Sequence, residues 1–109
     1  MSADLEITPE QARDAVAAGD AILVDVRSPA EWEAGRIAGA THIDLTELSA
    51  RASELPADKQ IVFTCRVGGR SLMAAQAFAA SGLNAKSLAG GAIAWTAAGL
   101  PFDGEVAEH

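Results

Sequence analysis

One cysteine, Cys65, is all that the 109 residues contain. No internal disulfide can form, which suits a reducing compartment, and we expect the cytoplasm. Cations are also scarce. Eight Lys and Arg face 15 Asp and Glu, a formal net charge of −7. That balance argues against a general binder of nucleic acid or of anionic membrane. Residues 87–102 carry no charge, but Gly90, Gly91, Gly99 and Pro101 interrupt them. They also fall short of the ~20 apolar residues that a membrane span needs. The opening Met-Ser-Ala-Asp-Leu-Glu has neither a basic nor an apolar region of the secretory kind, so no signal peptide is expected. There is no repeat, no CxxC pair, no metal-ligand cluster and no nucleotide-binding glycine motif. Neither a metal nor an organic cofactor is expected.

What is present reads as one folded domain. Half of the residues are apolar, too many for a disordered chain. The length allows a single modest core. The most informative stretch is Gln60–Ser71. Ile61, Val62 and Phe63 form a β-branched and aromatic run that suits a strand buried on both faces. Cys65 ends it. Arg66, Val67, Gly68, Gly69 and Arg70 follow, and from Ser71 the chain is helix-forming, with Ser71 in the capping position.

Strand, cysteine, glycine-rich loop and helix start together have a chemical consequence. A helix start leaves backbone N–H groups unpaired, and its dipole favours negative charge. Gly68 and Gly69 let the loop bend so that N–H groups converge. Arg66 and Arg70 add positive charge. A thiol in this setting should ionise below the value of about 8.5 usual for free cysteine. Cys65 is therefore the candidate nucleophile, with a cradle for an anion beside it. A lone cysteine is more often a buried core residue. Two Arg, two Gly and a Ser among the next six residues are unsuited to a core and favour the chemical reading.

Cys65-Arg66-Val67-Gly68-Gly69-Arg70-Ser71 resembles the active-site loop of the rhodanese-type sulfurtransferase family, C-R-x-G-x-R-S. Leu23-Val24-Asp25-Val26-Arg27, then Glu31-Trp32, then Gly35 to Ile43, is similar to that family's N-terminal signature. Leu88-Ala89-Gly90-Gly91, Trp95 and Gly99-Leu100-Pro101 resemble its C-terminal signature. Three departures stand out: Arg36 for a frequent His, His42 for a frequent Asn, and Val67 for a frequent Ser. Val67 takes a hydroxyl from the loop but leaves its backbone N–H. The resemblance implies an α/β fold and a thiosulfate sulfurtransferase type of enzyme. Cys65 would carry a sulfane sulfur from thiosulfate or a persulfide to cyanide or a thiol. Arg66, Val67, Gly68, Gly69, Arg70 and Ser71 would bind the substrate.

Along the chain, Leu5 to Ile7 is expected as an edge strand. Thr8, Pro9 and Gln11 form a capping box for a helix that Gly19 ends, with Ala12, Ala15 and Val16 as its apolar stripe. Ala21–Val26 is a strand. Asp25 near its end needs partners if buried, and the resemblance sets it near the Cys65 loop. It is expected as an anchor there, with Arg70 as its candidate ion pair, in structural support or with a catalytic effect. Arg27 is expected to pair with Glu31 rather than reach the substrate. Ser28 opens a helix through Ala34, and 35–40 is a loop. Thr41–Asp44 is a strand, and Thr46 caps a helix over Glu47–Glu54 ended by Pro56. A catalytic role for His42 or His109 is disfavoured, because the loop itself ionises the thiol. Ser71–Ser81 is a helix with Leu72, Ala75, Ala79 and Leu83 on one face. Residues 84–88 form the last strand, and Ala92–Ala98 a helix with Trp95 in the core.

Strands alternating with helices predict an open, mainly parallel five-stranded sheet with helices on both faces. Residues 1–102 form the domain, and 103–109 a loosely held acidic tail. Three other functions remain open. One is a phosphatase or arsenate reductase of the same fold. The phosphatase pattern H-C-x5-R differs here, with Thr64 before the cysteine and four residues before Arg70. Another is a non-catalytic sensor module, against which Cys65 counts. The third is a persulfide carrier serving a protein sulfur acceptor.

Overall fold

Why the elements form is visible in their first residues. The computed structural model describes residues 5–107; residues 1–4 and His109, with Glu108, lie outside the described residues. Thr8 accepts the Gln11 N–H, Gln11 reaches back to the Thr8 N–H, and Pro9 takes the first turn of α1 (Pro9–Ala17). Ser28, Pro29 and Glu31 repeat this box at α2 (Pro29–Ala34). Both starts match the sequence expectation.

Five strands make one parallel sheet: β1 (Glu6–Ile7), β2 (Ala21–Asp25), β4 (Thr41–His42), β5 (Gln60–Thr64) and β6 (Ala85–Leu88), in the order β1-β6-β5-β2-β4. The apolar run at Ile61 is thus the central strand. Side chains alternate across the sheet. Val24, Val26, Ile61 and Phe63 pack with Ala74 and Ala75 of α3 (Gly69–Ala80) on one face. Leu23 and Val62 pack with Ala12 of α1 and Trp95 of α4 (Gly91–Ala97) on the other. Burial on both faces is why β5 reads as a continuous apolar run.

Two expectations change. Residues 46–54 are not one helix but two short 3-10 turns, Leu45–Glu47 and Ala52–Glu54. The cap is Asp44, whose carboxylate accepts the Thr46 N–H at 2.9 Å and its hydroxyl at 2.8 Å. The i to i+3 spacing of that geometry sets Leu45 and Leu48 on one side, and both join the core. Residues 35–40 are not loop throughout. Gly35–Arg36 (β3) pairs antiparallel with Asp103–Gly104 (β7), within the stretch expected as a loose tail. Gly35 permits this approach, since a Cβ there would stand 2.3 Å from the Glu105 carbonyl oxygen. Two-residue strands carry no period, so the sequence shows no sign of them.

Candidate active site

The nucleophile candidate sits at the end of the central strand. β2 and β5 run in register from Ala21 opposite Gln60 to Asp25 opposite Thr64. Asp25 and Cys65 therefore stand at the same carboxyl end of the sheet, where functional loops of parallel sheets gather. Cys65 is 1% exposed. Gly68, left-handed at φ 110°, is the N-cap of α3, so the helix begins at Gly69 and not at Ser71. Ser71 lies one turn inside and is fully buried rather than capping.

The sulfur meets neutral donors. The Gly68 N–H donates to Cys65 Sγ at 3.1 Å and the Ser71 N–H at 3.4 Å. Ser71 Oγ lies 3.5 Å from Sγ. Burial, the largest single influence, pushes the thiol up. The Ser71 hydroxyl and the backbone N–H groups of Ser71, Gly68 and Arg70 outweigh it, and Cys65 ionises below the ordinary cysteine value.

A second helix start holds the loop from behind. The Ala92 N–H donates to Cys65 O at 2.8 Å and the Ile93 N–H to Arg66 O at 3.1 Å. Gly91, at φ 61°, makes that contact feasible, because a Cβ there would lie 2.5 Å from Cys65 O. The Gly90-Gly91 pair that starts α4 is thus also the docking point of the loop.

The charged side chains are partnered differently from the expectation. Arg70 does not reach Asp25. Its guanidinium grips Glu31 with both ends, Nη1 to Oε1 at 2.7 Å and Nη2 to Oε2 at 2.9 Å. That grip, aided by the Ser28 N–H and opposed by burial, holds the Glu31 carboxyl down at about 2. Arg27 does not pair with Glu31. It pairs with Asp25, Nε at 2.9 Å and Nη2 at 2.6 Å, and its Nη2 also donates to Gly35 O at 2.7 Å. At 1% exposure Arg27 is fully buried. Asp25 is an ion-pair anchor, with Arg27 as the cation. Arg66, half-buried, donates through Nε to Ala107 O at 2.9 Å. Val67 is exposed at the rim.

His42 is structural in its contacts. Its Nε2 is 2.7 Å from Arg27 O, and its ring stacks on Trp32 at 4.9 Å. Sequence reasoning missed Glu31 as the partner of Arg70. Its only trace was its place in the Ser28 capping box. Among the described residues no group of three His, Cys, Asp or Glu could hold a metal ion. No helix among them is long and apolar enough to cross a membrane.

Comparisons agree with the geometry. The Rhodanese-like domain family matches residues 8–98. A sulfurtransferase of Allochromatium vinosum is 40% identical over 84 residues, 76% of this chain and 78% of its own. The thiosulfate sulfurtransferase GlpE of Pseudomonas entomophila is 34% identical over 99% of this chain and 96% of its own. An HTH-type transcriptional regulator of Mycobacterium tuberculosis is 43% identical over 79% of this chain, which spans only 39% of that protein. Among solved structures, a rhodanese-related protein from Thermoplasma volcanium superposes with a TM-score of 0.83 at 29% identity, covering 92% of this chain and 98% of its own.

Proposed function

This chain belongs to the rhodanese-like family, and from that premise we propose that it is a sulfurtransferase of the thiosulfate type working through a Cys65 persulfide. One observation carries the reading: two backbone N–H groups and one hydroxyl converge on a single buried sulfur.

The Cys65 thiolate attacks the outer sulfur of thiosulfate. A bond forms from Sγ to that sulfur, the S–S bond of thiosulfate breaks, and its electron pair leaves with sulfite. Cys65 then bears a persulfide anion. The donors that hold the thiolate, with the start of α3, stabilise this anion as well. A cyanide ion or thiolate attacks the terminal sulfur and departs as thiocyanate or a new persulfide, and the Cys65 thiolate is restored. A persulfide donor enters by the same first step. Arg66, Val67, Gly68, Gly69, Arg70 and Ser71 form the binding loop, while Asp25 and Arg27 support it. The cytoplasm, reducing, is the proposed setting.

The four residues from Arg66 to Gly69 favour this chemistry over phosphate-ester hydrolysis, whose loop pattern needs five. The rim favours a protein-borne thiol as one acceptor, because Val67 and Ile93 are exposed apolar residues beside the loop.

The test is a mass spectrum after incubation with thiosulfate. The expected result is a gain of one sulfur, about 32 Da, on Cys65. An unchanged mass, under conditions that load a control sulfurtransferase, would count decisively against the reading.

A further inference from the structure

Ser87 has no place in the loop, yet it touches it. It lies on β6, beside Phe63 of the central strand and Glu6 of β1, and is fully buried. A hydroxyl has one hydrogen to give. Among the described residues the partner of Ser87 Oγ is Ser71 Oγ, at 2.8 Å. Ser71 Oγ has three neighbours: Ser87 Oγ, Gly68 O at 3.2 Å and Cys65 Sγ at 3.5 Å.

Counting hydrogens decides the direction. If Ser71 donated to Ser87, the Ser87 hydrogen would have no acceptor, a costly state for a buried group. The thiolate would lose its hydroxyl donor too. So Ser87 donates to Ser71, and the Ser71 hydrogen is free for Gly68 O or for the sulfur. With a neutral thiol, the Cys65 S–H donates to Ser71 Oγ and the Ser71 hydrogen rests on Gly68 O. When the Cys65 proton leaves, the Ser71 O–H turns to the sulfur. Gly68 O is not orphaned, because the Leu72 N–H donates to it at 3.0 Å.

We propose that Ser87 is a positioning residue that keeps the Ser71 hydroxyl available as a donor to the Cys65 thiolate. The inference rests on the thiolate reading of Cys65 but not on sulfur transfer. Charged groups near the site are engaged elsewhere: Arg70 with Glu31, Arg27 with Asp25, and Arg66 with Ala107 O. Arg70 is the one charged residue of α3, and α4 has none. Glu6, opposite Ser87 on β1, is the titratable group on the same face of the sheet.

The experiment is the rate of Cys65 alkylation by iodoacetamide across pH, which requires no sulfur donor. Ser87→Ala should slow alkylation at neutral pH about two- to fivefold and move the midpoint upward, as loss of one cooperative hydrogen bond predicts. Ser71→Ala should slow it more. The double variant should match Ser71→Ala alone, because Ser87 acts through Ser71. Ser87→Thr, which keeps the hydroxyl, should retain the wild-type profile. The proposal is overturned if Ser87→Ala leaves the profile in place, or slows the Ser71→Ala protein as much as the wild type. It is equally overturned if Ser87→Thr behaves like Ser87→Ala. Sulfur loading of the same proteins is scored separately, so a failed transfer reaction and a failed relay are distinguishable.

Discussion

Two neighbouring regions at the carboxyl end of the sheet favour negative charge by opposite means. At Asp25 and Glu31 the charge is a carboxylate, met by a full cation, Arg27 or Arg70. At Cys65 the group is a thiol whose ionised form is favoured by N–H groups and a hydroxyl. Neutral dipoles lower the thiol with no ion pair to the sulfur among the described residues. The guanidinium groups hold the carboxylates of the frame, and backbone dipoles converge on the sulfur.

The sharpest way to break that contrast is at the sulfur. Cys65→Ser should abolish sulfur loading and transfer, by at least about a thousandfold on the scale of lost nucleophiles, while thermal unfolding stays close to wild type. Retained transfer would remove Cys65 from the mechanism.

Next in size is the buried pair. Asp25→Ala leaves Arg27 buried without its carboxylate and should destabilise the fold by about 3–5 kcal/mol, read by denaturant unfolding. A loss under about 1 kcal/mol would show that the frame does not depend on this pair.

The Arg70–Glu31 pair should matter less, because Arg70 is 37% exposed and partly screened. Arg70→Ala should cost about 1 kcal/mol, lower kcat and raise the Cys65 thiol, by loosening the start of α3. A change confined to KM would mean that Arg70 acts on substrate instead. The pair also has a pH signature. Glu31 is held at about 2 against an ordinary 4.5. Its contribution is complete above the unfolded value and is lost as pH falls through the folded one. The stability gap between wild type and Glu31→Gln should be constant above about pH 5 and close towards pH 2, as acid unfolding curves would show.

The smallest effect is expected at Arg66. Half-buried and tied to a carbonyl, it meets no carboxylate among the described residues. Arg66→Ala should raise KM for thiosulfate by a few fold, and the gap should narrow with added salt. A salt-independent fall in kcat would place Arg66 with the frame instead.

Much of this was legible along the chain. The capping box at Thr8 and the helix opening at Ser28 are local patterns, so they formed as read. So did the double-sided burial of β5. The segment from 46 to 54 was not legible, because an Asp44 side chain competes with the helical ladder there. Nor was the β3–β7 ladder, where two glycines allow a contact that no periodicity announces.

The sequence by itself determined that a cysteine would stand between a strand and a helix start, with glycines to turn the backbone towards it. That follows from neighbours a few residues apart. Only the tertiary structure decided which carboxylate each guanidinium would hold, and that Ser87 would stand behind Ser71. Arg70 and Glu31 are 39 residues apart and Ser71 and Ser87 are 16 apart. Residue type says that a buried charge or hydroxyl must have a partner. Which partner it finds depends on the elements that packing brings side by side.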